Sequence, residues 1–278
     1  MRLATIRTAG GTRAVRREGD TLVETGHADV GALLADPGWR TAALADGPTH
    51  PVDGADFATL VTTPSKVVCV GLNYTNHIVE MGHDLPTHPT LFAKFADALV
   101  GAHDDIPLPP ETEALDWEVE LGVVVGQRVR RAKGESAEAA IAGFTVVDDI
   151  SCRDWQMRTG EWLQGKTWDS STPVGPYLVT PDELPGGVRP ELEVSLHVDG
   201  VLRQRDSTAD LLFDPVALVE HISTVVRLNP GDIIATGTPG GVGHGMTPPT
   251  YLAQGQVVVA EVEGIGALTN RVVADPTA

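Results

Sequence analysis

The sequence predicts a mostly-β chain with a few helices, of the α+β class, and three observations carry that expectation. First, strand-like aliphatic runs recur along the chain: Lys66 to Val70, Glu118 to Val125, Phe144 to Val147, Leu192 to Val198, Asp232 to Ala235 and Val257 to Val262. Second, Leu192, Val194, Leu196 and Val198 alternate with Glu193, Ser195, His197 and Asp199, the period-two pattern of a half-buried strand. Asp199-Gly200 then supplies a tight hairpin turn. Third, the clearest helix is short and well punctuated. Asp214 is a good N-cap and Pro215 suits the first helical position. Val216, Val219, Ile222, Val225 and Val226 line one face, and Asn229-Pro230-Gly231-Asp232 ends the element.

The N-terminal stretch has a different texture. Short alternating segments, Leu3 to Ile6 and Thr21 to Glu24, surround turn signals at Gly10-Gly11 and Gly19-Asp20. A short helix is expected from Val30 to Leu34, stopping near Pro37-Gly38. Pro48 to Asp56 carries Pro and Gly and reads as a linker. These features divide the chain into a small β-rich domain, residues 1–62, and a larger domain, residues 63–278.

Composition narrows the functional classes. The 278 residues are 42% hydrophobic, enough to build a substantial core. Twenty Lys and Arg stand against 38 Asp and Glu, a formal net charge of −18, so a nucleic-acid partner or an anionic membrane surface is not expected. A bound divalent cation can still invert that field locally. Cys69 and Cys152 read as free core thiols. The N-terminus shows no apolar signal core, and no run approaches the ~18 apolar residues of a membrane span. The expected location is therefore the cytoplasm.

The chemistry-bearing residues fall in five segments. Glu118 and Glu120, two apart on a predicted strand, project from one face beside a near-continuous apolar run. Burying both is costly unless a cation compensates, and a hard divalent ion with oxygen ligands does so directly. A solvated edge strand carrying two acids is the alternative. The Phe144 to Val147 strand ends in Asp148-Asp149, which face opposite sides, so one of the two can join the glutamates. His77 and Glu80 are neighbours on a helical turn and could activate water; a plain surface pair is the alternative. Lys166, set among tryptophans, is either a snorkelling side chain or a fixed cation for a developing oxyanion. The glycine-rich loop Thr236 to Gly243 brings backbone amides close to a carboxylate, or is simply a turn. HExxH, CxxC, GxSxG and dinucleotide-type glycine motifs are absent, so zinc-protease, thiol-redox, serine-hydrolase and Rossmann readings have no anchor.

Together these pieces resemble the fumarylacetoacetate hydrolase superfamily. The matching stretches are Gly71-Leu72-Asn73-Tyr74 with His77 and Glu80, Asp116 to Glu120, Asp149 to Asp154, Gly165-Lys166, Thr236 to Pro239 with Gly241-Val242-Gly243, and Glu263 to Gly266. The resemblance implies a roll of mixed β-sheets and a homodimer. It implies Mg²⁺ or Mn²⁺ held by Glu118, Glu120 and Asp149, a water-activating pair at His77 and Glu80, and charge stabilisation by Lys166. Thr238 is expected to meet the substrate carboxylate and Gln156 to contribute to substrate binding. The substrate is expected to be a small keto acid, and the reaction C–C hydrolysis of an acylpyruvate or related 1,3-diketo acid. Oxaloacetate-type decarboxylation and hydration or isomerisation of unsaturated 2-keto acids are the alternatives. Two departures from the family pattern, Asp97 and Asp148, add acids near the expected pocket. They either shift substrate choice or point away.

Overall fold

The computed structural model describes residues 1–80 and 84–277; the side chains of His77 and Glu80 fall outside that description. The fold is mostly β, as expected. An 11-stranded sheet forms its spine, in the order Thr49–Pro51, Thr21–Glu24, Gly11–Glu18, Arg2–Thr8, Thr172–Val179, Ile141–Asp148, Val119–Val125, Ile233–Ala235, Val67–Gly71 and Thr90–Lys94, with Leu99–Val100 pairing beside Thr172–Val179. A five-stranded sheet runs Val201–Ser207, Glu193–Val198, Val257–Val262, Gly266–Ala274 and Ile106–Leu108. Both are mixed: Ile233–Ala235 runs parallel to Val67–Gly71, and Gly266–Ala274 parallel to Ile106–Leu108.

Local sequence explains most of these elements. Val119–Val125 and Ile141–Asp148 are buried at every position, as continuous aliphatic runs in the middle of a sheet must be. In Glu193–Val198 the alternating Val194, Leu196 and Val198 are buried, while Glu193 is exposed. Asp199 and Gly200 both adopt positive φ, +50° and +76°, the two-residue turn that matches strand twist. The Asp214 carboxylate accepts the Ala217 N–H at 2.8 Å and starts the helix Pro215–Val225. Its buried face is Val216, Leu218, Val219 and Ile222. Val225 and Val226, expected on that face, are exposed: Val225 is the last helical residue, and Val226, at φ −136°, is already extended. Cys69 and Cys152 are free and buried.

The Pro48 to Asp56 stretch differs from the expected linker. Thr49–Pro51 is a strand, paired with Thr21–Glu24 at the edge of the large sheet. An edge strand tolerates Pro51 because one side of its backbone needs no ladder donor. The N-terminal strands also share hydrogen bonds with the rest of the chain, since Arg2–Thr8 pairs antiparallel with Thr172–Val179. Among the described residues, no helix is long and apolar enough to cross a membrane.

Candidate active site

Adjacent central strands of the large sheet build the site. The Val119–Val125 strand carries Glu120 and is preceded by Glu118; it pairs antiparallel with Ile141–Asp148, whose next residue is Asp149. That register brings oxygens of Glu118, Glu120 and Asp149 within 4.8 Å of one another, all buried. The predicted triad is therefore assembled, and on an interior strand rather than a solvated edge.

Three cations that the sequence reading gave no structural role, or only part of one, interleave with these acids. Lys166 Nζ lies 2.8 Å from both Glu118 Oε2 and Asp149 Oδ2. Lys94 Nζ lies 2.9 Å from Asp149 Oδ1. Arg153 spans Glu118 Oε1 at 2.6 Å and Asp116 Oδ2 at 2.8 Å. Burial alone would lower the pKa of Lys166, but Asp149 and Glu118 outweigh it and hold the ammonium charged. Burial and the neighbouring Asp149 and Glu118 push Glu120 well above the carboxylate range. Asp149 goes the other way: burial raises it, and Lys166 and Lys94 pull it below its ordinary value.

This donor set fits a hard divalent cation. Asp116, Glu118 and Asp149 pair with these three cations, and Glu120 is the carboxylate of the cluster left without one among the described residues. Asp149 Oδ1 has an ion-pair neighbour in Lys94, but no hydrogen bond of acceptable geometry. Glu120 carries its repulsion with a single amide donor, Gly237 N at 2.7 Å. Three monodentate carboxylates with open positions suit Mg²⁺ or Mn²⁺.

Loops lock the remaining residues around this floor. The Asn73 side chain donates to the Thr236 and Phe213 carbonyls at 2.8 and 3.0 Å, and accepts from Phe213 N. It thereby staples the Gly71 to Tyr74 turn to the loop that feeds Glu120. Gly237, at φ +101°, has no room for a side chain: a Cβ would sit 2.9 Å from the Val70 carbonyl and 3.0 Å from Asn73. Asp116 accepts from Gly243 N and His244 N and anchors the far end of the same glycine-rich loop. The helix Thr75–Glu80 follows the staple, so positions 77 and 80 lie one turn apart on it; the side chains of the expected dyad lie outside the described residues.

A cavity of about 650 Å³ opens above the triad, lined by Glu118, Glu120, Lys166, Arg153, Gln156 and Thr238 among others. Gln156 is buried, with its oxygen accepting from Arg153 Nη1 at 3.0 Å. Thr238 donates its hydroxyl to the Val119 carbonyl and accepts from Gln204 Nε2, both within 2.9 Å. Gln204, which the sequence reading did not single out, also takes the Val119 N–H and so holds the first residue of the glutamate strand.

Neither of the two added acids lines the cavity. Asp97 sits exposed on a single 3₁₀ turn. Asp148 is fully buried, with one oxygen accepting Glu118 N–H at 2.9 Å and the other unpartnered. Burial drives its pKa up to about 7, against the pull of the Glu118 amide. Because the folded value lies above the unfolded one, folding retains a proton at low pH, and stability falls as pH rises from about 4 to about 7. Asp148→Asn keeps the acceptor and removes the charge. In EDTA at pH 8 its melting temperature should exceed that of the wild type by on the order of 5 °C, the gap closing toward pH 5. An equal or lower melting temperature at pH 8 would contradict an uncompensated charge at this position.

Comparison with known proteins agrees with the geometry. The sequence profile of the family described as "Fumarylacetoacetate (FAA) hydrolase C-terminal" matches residues 66–273, which include every residue of the site. The chain belongs to the fumarylacetoacetate hydrolase family, and the relatives named below carry the names of enzymes. The mitochondrial oxaloacetate tautomerase Fahd2a of Rattus norvegicus is 43% identical over 235 residues, 84% of this chain and 74% of that protein. Two solved structures each cover 99% of both chains: 5-carboxymethyl-2-hydroxymuconate delta-isomerase from Mycobacterium smegmatis, 33% identical with a TM-score of 0.80, and fumarylacetoacetate hydrolase from Exiguobacterium antarcticum, 32% identical with a TM-score of 0.87.

Proposed function

We propose that this protein is a divalent-metal-dependent enzyme that works through the enolate of a 2-keto acid, and that it hydrolyses a C–C bond of an acylpyruvate. The observation that supports this most is the buried Glu118, Glu120 and Asp149 cluster, two of whose members line an open cavity. Mg²⁺ or Mn²⁺ held by those three carboxylates would supply Lewis acidity to a 2-keto-carboxylate and to the enolate derived from it. Lys166, kept charged beside the same oxygens, offsets negative charge that develops on the substrate. Gln156 and Thr238 border the space where the keto-carboxylate end would lie.

His77 is the base in this reading. Its role is to take a proton from water, and Glu80 follows one turn later in the helix. Water adds to the distal carbonyl, the bond between that carbon and the methylene breaks, and its electron pair becomes the pyruvate enolate, which then takes up a proton. The balance is RCO–CH₂–CO–CO₂⁻ plus water giving RCO₂⁻, pyruvate and H⁺.

A second reading, keto–enol tautomerisation of an oxaloacetate-type substrate, is favoured by the 43% identity to a protein named for that activity. It uses the same enolate and needs no attacking water. Acetylpyruvate and enol-oxaloacetate, assayed in parallel with Mn²⁺ and after EDTA, separate the two. Release of acetate and pyruvate supports hydrolysis; enol decay alone moves the assignment to a tautomerase. His77→Ala should lower acetylpyruvate hydrolysis by about 10²–10⁴-fold. Full turnover in that variant would sink the proposed role of His77.

A further inference from the structure

The cavity has two chemically different ends. At the floor, Lys166 and Arg153 are the fixed cations among its described lining residues, and both are paired to Glu118. Away from the floor the described walls turn apolar. Lys166 Nζ lies 5.0 Å from the centroid of Phe92, and Phe92 meets Trp162 edge to face at 5.4 Å. Trp162 is pressed so closely on Gly71 that a Cβ there would lie 2.4 Å from its ring. Leu72, Met157, Val242 and Met246 continue this lining, with Leu72 37% and Met157 58% exposed. The polar side chain at this end is His244, whose Nδ1 lies 2.9 Å from Tyr251 Oη, while Gln156 is turned to Arg153 at the floor.

We propose that the distal part of the substrate is apolar: an acylpyruvate bearing an alkyl or aryl acyl group, with its tail against Phe92, Trp162, Leu72, Met157 and Met246. This rests on the reading of the floor as the keto-carboxylate site. A tail of several carbons would cover apolar side chains now facing water, and the flexible thioethers of Met157 and Met246 adapt to tails of different shape. A second carboxylate in the same place would be desolvated against aromatic rings, in a protein of net charge −18, with no unpaired lysine or arginine among the described lining residues. A small acid such as oxaloacetate would leave much of the 650 Å³ unused.

The test is binding first, then turnover. Pyruvate, 2-oxooctanoate and the ω-carboxylated counterpart of 2-oxooctanoate are titrated calorimetrically into the Mn²⁺-loaded protein. At roughly 3- to 4-fold per buried methylene, 2-oxooctanoate, five carbons longer, should bind about 10²–10³-fold more tightly than pyruvate. The ω-carboxylated acid should lose most of that gain. Met157→Lys should narrow or reverse the preference between the two long acids. Affinity independent of tail length, or tighter binding of the dicarboxylate, overturns the proposal. Hydrolysis of acetylpyruvate, hexanoylpyruvate and ω-carboxyhexanoylpyruvate is then compared by kcat/KM, and hexanoylpyruvate should lead. If the binding series behaves as expected and none of the three is cleaved, the hydrolytic reading fails while the apolar subsite stands. If all three are cleaved equally, the subsite fails while the hydrolytic reading stands.

Discussion

Glu120→Gln is expected to abolish tight Mn²⁺ binding and to reduce turnover by about 10³-fold or more, since several kcal/mol of charge stabilisation goes with the cation. The substitution is nearly isosteric. Its retained oxygen can still accept the Gly237 amide, and the turn at Gly237 should keep its shape. What it removes is a buried charge that burial and the neighbouring Asp149 and Glu118 already oppose. In EDTA the variant should therefore be as stable as the wild type or more so. Adding Mn²⁺ should raise the melting temperature of the wild type with concentration, as for any ligand bound only by the folded state, and leave the variant unmoved. An unchanged Mn²⁺-dependent shift, or activity within a few-fold of wild type, would remove Glu120 from the ligand set.

Lys166→Met carries the second large effect. The ammonium bridges Glu118 and Asp149 from a fully enclosed position, so its loss leaves two buried carboxylates without a shared partner. Breaking such a pair costs about 3–5 kcal/mol, and the variant in EDTA should melt well below the wild type. Mn²⁺ should restore much of that loss, because a cation replaces the missing charge at the same oxygens. Metal affinity should be equal or higher, since Lys166 competes for those oxygens. Turnover at saturating metal should nonetheless fall about 10²–10³-fold, the usual effect of removing one fixed group that stabilises developing charge. Wild-type kcat with metal bound would reduce Lys166 to a structural counter-ion.

Much of the site was legible in the sequence because it follows from strand periodicity. Glu118 and Glu120 two apart beside an aliphatic run, and an acid ending the Phe144 to Val147 run, already specified a carboxylate cluster that had to be compensated. The Asp214 cap, the Asp199-Gly200 turn and the Leu192 to Val198 alternation were equally readable, since each depends on residues within a few positions of one another. Local signals also misled where they ignored position in the sheet. Pro and Gly between 48 and 56 concealed an edge strand, and Val225 and Val226 continued a helical stripe to and beyond the residue where the helix ends.

What the sequence by itself determined is the pair of glutamates on one strand face with an acid ending the neighbouring run, the family pattern and the mostly-β architecture, because these are written in spacing and residue type. Only the tertiary structure decided which cations neutralise the acids. Lys94, Arg153 and Lys166 come from three separate segments, and no periodicity links them to Glu118 or Asp149. It also decided that Asp148 turns its carboxyl to the Glu118 amide while Asp149 enters the cluster, and that Gln204 clamps Val119 from another sheet. Most of all it decided the character of the cavity, which Phe92, Met157, Trp162 and Met246 line together although they come from separate segments of the chain. Long-range packing is set by the burial of the whole chain rather than by any local pattern, and the apolar end of the site is legible only there.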